Sequence, residues 1–179
     1  MKDRAYWNRR YAQGKGSGNG STGESVRKKV EWLSALKGIS SIVEIGCGDF
    51  QFGSQLLEAF PDALYAGYDI SDLIVHRNAI LYPGAAFGVS APEKAIPPAD
   101  LLLCLDVLFH ITDDGEYDAM LSRLENASCR YLAVTAYEYD GLDRGHMKIR
   151  KFDPSRFGEP ILREVIEDEG QMHFYLFKK

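Results

Sequence analysis

A short apolar segment runs into two glycines at residues 44–48, where Glu44, Ile45, Gly46, Cys47 and Gly48 follow one another. Glycine adopts backbone angles that other residues avoid, and its missing side chain lets a ligand lie against the main chain. A helix predicted over 50–59 would point its free N–H groups and its positive dipole end at the same turn. The spacing therefore predicts a binding site for a nucleotide-like ligand.

Asp69 is a further candidate for ligand binding, because it lies at the end of a strand predicted over 63–70. A carboxylate there can accept hydrogen bonds from both hydroxyls of a ribose. Ile70, the next residue, can offer an apolar face to a purine ring. We therefore expect a ligand that contains adenosine.

NAD and S-adenosylmethionine both contain adenosine, and the turn itself distinguishes them. The dinucleotide fingerprint G-x-G-x-x-G requires a third glycine, but Asp49, Phe50 and Gln51 follow Gly48. An acid two positions before the first glycine, Glu44, is poorly placed for a pyrophosphate and suits a cationic ligand. The residues therefore favour S-adenosylmethionine over NAD as the ligand. An NAD-dependent oxidoreductase stays as a less favoured alternative.

Further titratable and aromatic residues lie in the second half of the chain. His110 follows a predicted strand, and its ordinary pKa would suit a general base; the alternative is that it caps or packs the turn before the next helix. His146 and Arg150, with Tyr137 and Tyr139 upstream, could line a pocket for an anionic or polar acceptor. A basic surface loop is the competing interpretation.

Composition narrows the class of protein. The 179 residues are 45% hydrophobic and 26% charged, as in an ordinary globular domain. No apolar run approaches the length of a membrane span, and the three cysteines are widely spaced without a CxxC pair. We expect a cytoplasmic protein with reduced cysteines, no metal site and no membrane association.

Charge is distributed unevenly along the chain. The net charge is −5, yet residues 1–30 contain eight Lys or Arg and only two Asp or Glu. The acidic body argues against nucleic acid as a partner. The segment 14–23 has five glycines among small polar residues and is predicted to be flexible; it is either a linker or a lid over the glycine turn.

The rest of the chain alternates between helix and strand patterns. Helices are predicted over 3–12, 25–36, 50–59, 72–81 and 114–126, and strands over 41–45, 63–70, 85–89, 100–106, 130–137, 161–167 and 172–177. We expect Ser21 or Thr22 to cap the second helix and Lys28 and Lys29 to face outward. Residues 138–160 are predicted to be irregular, and 168–171 to form the turn of the final hairpin.

This alternation predicts an α/β fold with a mostly parallel sheet and an antiparallel C-terminal hairpin. Ligands of such sheets bind at the carboxyl ends of the strands. We therefore expect the functional residues along that edge, namely the Gly46 turn, Asp69, Ser90, Asp106 and Tyr137.

Three segments together resemble the class I S-adenosylmethionine-dependent methyltransferases. Residues 44–48 are similar to the first motif of that family, residues 68–71 (Tyr-Asp-Ile-Ser) to the second, and residues 98–111 to the fourth. The resemblance covers residues 25–179 and implies a small, single-domain enzyme. It implies a Rossmann-like three-layer sandwich with a seven-stranded sheet, and two parts: an N-terminal arm or lid at 1–24 and a methyltransferase domain at 25–179.

Carried over to this sequence, the resemblance implies a role for each matching residue. Glu44, Gly46 and Gly48 would line the methionine part of S-adenosylmethionine, Asp69 would bind the ribose, and Ile70 would pack on the adenine. Ser90 and Ala91 would approach the adenine, although the family often has Asp where Ser90 stands. Leu105 and Asp106 would face the sulfonium.

The arm carries the last part of the resemblance. Residues 7–11 are similar to the "W-x-x-R-Y" segments that precede many of these domains and close over the cofactor, which implies contacts from Trp7 and Tyr11. The expected function is methyl transfer to a small-molecule or sugar-like acceptor. The alternative is a non-catalytic module that binds S-adenosylmethionine and acts through a partner protein; the oligomeric state stays open.

Overall fold

The computed structural model describes residues 2–141, 143–167 and 172–179. Its internal contacts divide the chain into two compact units, one ending at Ala91 and the other beginning at Pro92. The arm belongs to the first unit, so the boundary at residues 24 and 25 stays a prediction.

The first unit contains three parallel strands and four helices. Its helices are α1 (Lys2–Ala12), α2 (Gly23–Ser34), α3 (Gln51–Ala59) and α4 (Asp72–Leu81), and its strands are β1 (Ser41–Ile45), β2 (Leu64–Asp69) and β3 (Ala86–Val89). β1 pairs in parallel with β2, and β2 with β3. The apolar residues Ile42, Val43 and Ile45 of β1 are buried, as expected for a strand of β-branched residues covered on both faces.

The second unit contains parallel and antiparallel strands. Its elements are β4 (Ala99–Cys104), α5 (Asp114–Asn126), β5 (Cys129–Tyr137), β6 (Asp143–Arg144), β7 (Met147–Lys148), β8 (Leu162–Glu167) and β9 (Met172–Lys178). β4 pairs in parallel with β5, whereas β9 pairs antiparallel with β5 and β8. The apolar run of β4 is buried from Leu101 to Cys104.

Seven of these strands form one sheet with the order β3-β2-β1-β4-β5-β9-β8. It is mostly parallel, and its antiparallel strands are the C-terminal pair. The predicted fold class is therefore confirmed, and most predicted helices and strands agree with the structure within about two residues.

Two local predictions about the start of α2 are wrong. Thr22 occupies the N-cap position without a side-chain hydrogen bond, and Ser21 lies in a 3₁₀ turn, so neither residue caps the helix. Lys29 is not outward, because its side chain is buried and its ammonium group donates to the carbonyl of Gly20 at 3.1 Å. The buried lysine thereby ties the glycine-rich segment to α2.

The segment 138–160 is less irregular than predicted. β6 and β7 form a small antiparallel hairpin, and Pro154–Phe157 form a 3₁₀ turn. The hairpin turn predicted at 168–171 lies outside the described residues. Among the helices that the structure describes, none has both the length and the apolar character that crossing a membrane requires.

Candidate functional site

The glycine turn after β1 is stabilised by bonds to the end of β2. Gly46 and Gly48 have positive φ angles of 80° and 50°, which glycine adopts without strain. The N–H groups of Gly46 and Cys47 both donate to the carbonyl of Tyr68, at 2.6 and 3.1 Å. The N–H of Gly48 donates to Oδ2 of Asp69 at 3.0 Å.

The next two N–H groups of the turn are also bonded within the protein. Asp49 donates its N–H to Oγ of Ser17 at 2.9 Å, and Phe50 donates its N–H to the carbonyl of Cys47 at 3.0 Å. Five successive N–H groups, from residue 46 to residue 50, are therefore occupied. A loop that cradles phosphate presents such groups to its ligand instead.

Phe50 stands where the methyltransferases that the sequence resembles commonly have a third glycine, and it takes a glycine-like conformation with φ of 66°. This costs about 1–2 kcal/mol in a residue that has a side chain. The ring is buried and packs against those of Tyr65, Tyr82 and Phe87, with centroids 4.9, 4.8 and 5.1 Å away. The aromatic packing offsets the backbone strain, so the chain enters α3 without that glycine.

Asp69 lies buried at the end of β2 and holds two segments together. Its Oδ2 accepts from Gly48, and its Oδ1 accepts from the N–H of Ser71 at 2.8 Å. Burial raises the pKa of Asp69 to about 6, and the negative charge of Asp49 also raises it. The hydrogen bonds from Ser71 and Gly48 act in the opposite direction and lower the pKa. Each carboxylate oxygen accepts more than one hydrogen bond, so the group can still accept from a ligand.

Glu44 places a second buried carboxylate beside the turn. It is 3% exposed and accepts a hydrogen bond from the hydroxyl of Tyr65. Burial raises the pKa of the Cys47 thiol, and the charges of Asp69 and Glu44 raise it further. The potential at the turn is therefore negative, which is the environment that a cation prefers.

The arm lies against this turn. The side chain of Asn8 accepts from the hydroxyl of Ser71 and donates to Asp72 at 2.7 Å. Tyr11 is buried, with its hydroxyl 3.4 Å from that of Ser17. Asn8 was not among the predicted site residues. It could have been predicted from its position three residues before Tyr11, because residues at this spacing share one face of a helix.

Ser17 bonds directly to the turn. Its hydroxyl donates to Oδ1 of Asp49 at 2.7 Å, and its N–H donates to Oδ2 at 3.2 Å. A Cβ atom added to Gly48 would lie 2.1 Å from the Ser17 hydroxyl oxygen and 3.1 Å from that of Tyr11. Gly48 thus leaves space for the arm, whereas the sequence suggested that it leaves space for a ligand.

The remaining predicted residues of the first unit lie close to these groups. Trp7 is half-buried, 5.7 Å from the Tyr11 ring. Ile70, Ser90 and Ala91 are also half-buried, and the N–H of Ser90 donates to the carbonyl of Asp69 at 2.8 Å. One turn before Asn8, Arg4 has a buried Nε that lacks a hydrogen-bond partner among the described residues.

In the second unit, Asp106 is held in a strained conformation after β4. Its φ is 58°, which is uncommon for a residue with a side chain. The N–H of Asp106 donates to the hydroxyl of Thr135 at 2.6 Å, and that hydroxyl donates to Oδ1 of Asp106 at 2.9 Å. Leu105, the preceding residue, is buried. Strain of this kind is often found at functional sites.

His110 ends a 3₁₀ turn, Leu108–His110. Its Nδ1 lies 3.0 Å from the backbone carbonyl oxygen of His146. Because a carbonyl oxygen only accepts, Nδ1 must carry the hydrogen of this bond, and the lone pair of the neutral ring is then on Nε2. The two imidazole rings lie nearly parallel, with centroids 5.4 Å apart.

Aromatic side chains form a chain of ring contacts that begins at His110. The ring of Phe109 is 4.4 Å from that of His110 and 5.4 Å from that of Tyr137. Tyr139 meets Tyr137 edge to face at 5.6 Å. We call these rings, together with His146, the aromatic cluster.

Arg150 is not part of this cluster. Its guanidinium donates to the carbonyls of Ile111 and Thr112 at 2.8 and 3.3 Å, and to Asp114 at 2.9 Å. It also lies 4.5 Å over the ring of Tyr117. These contacts hold the segment before α5, so the role of Arg150 in acceptor binding stays a prediction that the geometry does not favour.

No cluster of three or more His, Cys, Asp or Glu side chains in the described part of the chain could hold a metal ion. The geometry therefore gives two groups of candidate residues: an acid-lined glycine turn covered by the arm, and an aromatic cluster around a histidine with a defined tautomer.

Comparisons with known proteins identify the fold. No family model and no curated protein match the chain. Among solved structures, a magnesium protoporphyrin IX methyltransferase from Synechocystis PCC 6803 with bound S-adenosylmethionine matches with a TM-score of 0.74 and 21% identity, covering 100% of this chain and 98% of that one. A 1,6-didemethyltoxoflavin-N1-methyltransferase from Burkholderia thailandensis matches with a TM-score of 0.69 and 14% identity, covering 98% and 86%.

An O-methyltransferase family protein from Burkholderia thailandensis is also similar, with a TM-score of 0.63 and 12% identity over 86% of this chain. This chain spans only 55% of the length of that protein. The chain thus has the fold of the class I S-adenosylmethionine-dependent methyltransferases, as the sequence motifs predicted.

Proposed function

We propose that this protein is a methyltransferase that uses S-adenosylmethionine and acts on a small-molecule acceptor. The single observation that carries the proposal is the donor set of the glycine turn. Five successive N–H groups are bonded within the protein, and two buried carboxylates, Glu44 and Asp69, lie beside them. A site with few donors and a negative potential suits a sulfonium and an ammonium group.

The same observation counts against NAD. A pyrophosphate needs N–H donors at the turn and a positive local potential. Here the N–H of Gly48 is bonded to the carboxylate of Asp69, and Asp49 adds another negative charge next to it. Binding a pyrophosphate would break these bonds and bring like charges together.

In the proposed complex, the residues around the turn hold the cofactor. Glu44, Gly46 and Gly48 line its methionine part, and Asp69 accepts from the ribose hydroxyls. Ile70 packs on the adenine. When bound, S-adenosylmethionine supplies an activated methyl group, so the protein has to align the acceptor and exclude water.

Further residues would contact the ligand from the ends of β3 and β4 and from the arm. Ser90 and Ala91 would approach the adenine, with the backbone in place of the missing Asp. Trp7 and Tyr11 would cover the ligand from the arm; Tyr11 already packs beside Gly48. For Leu105 and Asp106, contact with the cofactor stays a prediction from the resemblance, supported by the strained backbone of Asp106.

His110 is the proposed general base for an acceptor that must lose a proton. Its Nδ1–H donates to the carbonyl of His146, which fixes the ring and places the lone pair on Nε2. Tyr137, Tyr139 and His146 would line the acceptor site. We further propose that the arm is a lid, since it is joined to the turn by hydrogen bonds through Ser17 and Asn8.

The test is transfer of a labelled methyl group from S-adenosylmethionine into a metabolite extract. We expect one or a few labelled small molecules with the parent protein and a large loss with Asp69→Ala. Asp62→Ala, an exposed acid in the same unit, should behave like the parent. If the parent binds the cofactor but labels nothing, the non-catalytic module becomes the better account; if it does not bind, the proposal is wrong.

A further inference from the structure

We infer that Tyr65 is a positioning residue of the ligand site, whose hydroxyl holds the carboxylate of Glu44 in the orientation that receives the ammonium group of S-adenosylmethionine. This inference rests on the proposed function and goes beyond it, because neither the glycine turn nor the family resemblance gives Tyr65 a role. It is carried by one hydrogen bond, by the strand register and by two glycines that make space for the tyrosine.

Tyr65 and Glu44 lie on the same face of two neighbouring strands. β1 and β2 pair in parallel, with Ile42 opposite Tyr65 and Glu44 opposite Gly67. Because side chains alternate between the two faces of a sheet, those of Tyr65 and Glu44 point to the same side. The hydroxyl of Tyr65 reaches along the strands and donates a hydrogen bond to Oε2 of Glu44.

The residue opposite Glu44 leaves the path of the tyrosine ring open. Gly67 is buried inside β2, where a glycine weakens a strand and often marks a close approach of other groups. A Cβ atom at this position would lie 3.0 Å from Cε1 of Tyr65 and 2.9 Å from Sγ of Cys47. The missing side chain therefore makes space for the ring of Tyr65 beside the turn residue Cys47.

A second glycine makes space for the hydroxyl itself. Gly53 is buried within α3, and glycine inside a helix is less favourable than alanine. A Cβ atom at this position would lie 2.7 Å from the hydroxyl oxygen of Tyr65 and 2.6 Å from Cε2 of Phe50. The helix thus lacks a side chain at the point where the tyrosine hydroxyl lies.

Aromatic packing fixes the ring that carries this hydroxyl. Tyr65 is buried, and its ring centroid lies 4.9 Å from that of Phe50 and 6.2 Å from that of Phe87. A side chain whose rotamer is set by packing can hold its hydrogen-bond partner in a defined place. Burial raises the pKa of Tyr65, and the charge of Glu44 raises it further, so the hydroxyl stays protonated and remains a donor.

The carboxylate of Glu44 gains both stability and orientation from this donor. Glu44 is buried, and hydrogen bonds to the charged form offset the cost of removing a carboxylate from water. A bond that an ionised group accepts is stronger than one between neutral groups, so it favours one orientation of the side chain. Since each carboxylate oxygen accepts more than one hydrogen bond, Glu44 can bind Tyr65 and an ammonium group together.

The competing explanation is that Tyr65 only fills the core between β2 and α3. Core packing is served by the ring and contributes to stability whichever ligand is bound. Positioning of Glu44 is served by the hydroxyl and affects only those ligands that carry an ammonium group. The two explanations therefore predict different results for ligands with and without that group.

The test compares two ligands that differ in the part that Glu44 binds. S-adenosylhomocysteine has an amino-acid part with an ammonium group, and 5′-methylthioadenosine has a methyl group in its place. Each is titrated calorimetrically into the full chain. We expect Tyr65→Phe to weaken binding of S-adenosylhomocysteine about tenfold, the effect of losing one hydrogen bond to a charged group, and to leave the affinity for 5′-methylthioadenosine unchanged.

Tyr82→Phe is the matched control for the loss of a hydroxyl. The ring of Tyr82 also packs against that of Phe50, with centroids 4.8 Å apart, but the side chain is exposed. This variant should bind both ligands like the parent. Tyr65→Phe keeps its ring and the aromatic contacts of that ring, so it should fold as the control does.

Glu44→Gln tests whether Tyr65 acts through Glu44. The amide keeps an oxygen that accepts from Tyr65 but carries no charge. It should weaken binding of S-adenosylhomocysteine and not that of 5′-methylthioadenosine. Adding Tyr65→Phe to Glu44→Gln should weaken S-adenosylhomocysteine by less than about twofold more, because residues that act on one group are not additive.

The outcomes separate the inference from the proposed function. If S-adenosylhomocysteine does not bind to the parent, the proposed function is wrong, and the inference with it. If it binds but Tyr65→Phe weakens both ligands equally, or neither, Tyr65 serves packing alone and only the inference is overturned. The inference is also overturned if Glu44→Gln binds S-adenosylhomocysteine like the parent, or if the effects of the two substitutions add in full.

Discussion

Asp69 couples ligand binding to pH in a way that can be measured. Burial raises the pKa of this carboxyl to about 6, and the proposed ligand carries positive charge at its sulfonium and ammonium groups. A cation stabilises the ionised carboxylate, so binding at acidic pH should release a proton. Affinity for S-adenosylmethionine should therefore increase as the pH rises through 6.

The size of the effect follows from the pKa. A carboxyl with a pKa of about 6 is about one-tenth ionised at pH 5 and about nine-tenths ionised at pH 7. The affinity should then be about tenfold weaker at pH 5 than at pH 7, which corresponds to about 1.4 kcal/mol. The side chain of the Asp69→Asn variant is uncharged at every pH. The affinity of this variant for S-adenosylmethionine should therefore be lower than that of the parent and should not change between pH 5 and pH 7.

Stability of the ligand-free protein should change in the opposite direction. The pKa of Asp69 is about 6 in the folded protein and about 3.9 when unfolded, so the native state binds more protons between these values. The free energy of unfolding should fall by about 3 kcal/mol from this group as the pH rises through that window. This contribution should be absent in Asp69→Asn.

Calorimetric titration at pH 5, 6 and 7, in two buffers that differ in ionisation enthalpy, gives both the affinity and the number of protons released. Urea unfolding from pH 3 to pH 7, a range that includes both pKa values of Asp69, gives the stability. The reasoning about the acid-lined turn fails if the affinity is independent of pH, or if Asp69→Asn retains the pH dependence of the parent.

Three further changes test other parts of the structure. Ser17→Ala removes the hydroxyl bonds to Asp49. It should make tryptic cleavage in the adjacent loop about tenfold faster, for about 1.4 kcal/mol of lost hydrogen bonding, while Ser34→Ala, an exposed serine at the end of α2, should cleave like the parent. Phe50→Gly relieves about 1–2 kcal/mol of backbone strain but loses about 3–5 kcal/mol of aromatic burial, so urea unfolding should show net destabilisation; a stability gain would contradict this balance. Arg150→Ala removes the guanidinium that donates to three backbone carbonyls, those of Ile111, Thr112 and Lys148. It should lower the unfolding free energy by about 2–3 kcal/mol, against no more than about 0.5 kcal/mol for the exposed Lys151→Ala.

The sheet and helices were predictable because their signals are local. Short apolar runs such as Leu101–Leu103 and the β-branched residues of β1 are typical of strands covered on both faces, and these residues are buried. Ser71, a residue type favoured at helix N-termini, lies at the N-cap of α4, and its hydroxyl accepts from the N–H of Ile74 at 3.3 Å. Such features depend on a few neighbouring residues and leave a pattern in the sequence.

The contacts of the arm could not be predicted in this way. The glycines around Ser17 indicate flexibility, and nothing near them in sequence shows that this serine binds Asp49, 32 residues later. The burial of Lys29 has the same cause, because its partner is a backbone carbonyl, that of Gly20. Backbone groups accept hydrogen bonds whatever the residue type, so they leave no mark in the sequence.

The positions of the candidate site residues were predictable in part. Glu44, the two glycines and Asp69 were identified from spacing alone, but the bond from Gly48 to Asp69 and the positive φ of Phe50 depend on how β1, β2 and α3 meet. Arg150 was assigned to the acceptor because of its charge. Its contacts with the segment before α5 show that a basic residue in a loop can serve the loop itself.

The central claim is that the acid-lined turn binds S-adenosylmethionine rather than a dinucleotide. Calorimetric titration of the purified chain at pH 7 with S-adenosylhomocysteine, and separately with NAD, tests it most directly. We predict a dissociation constant on the order of 1 μM for S-adenosylhomocysteine and no measurable heat with NAD. Binding of NAD with no binding of S-adenosylhomocysteine would contradict the account.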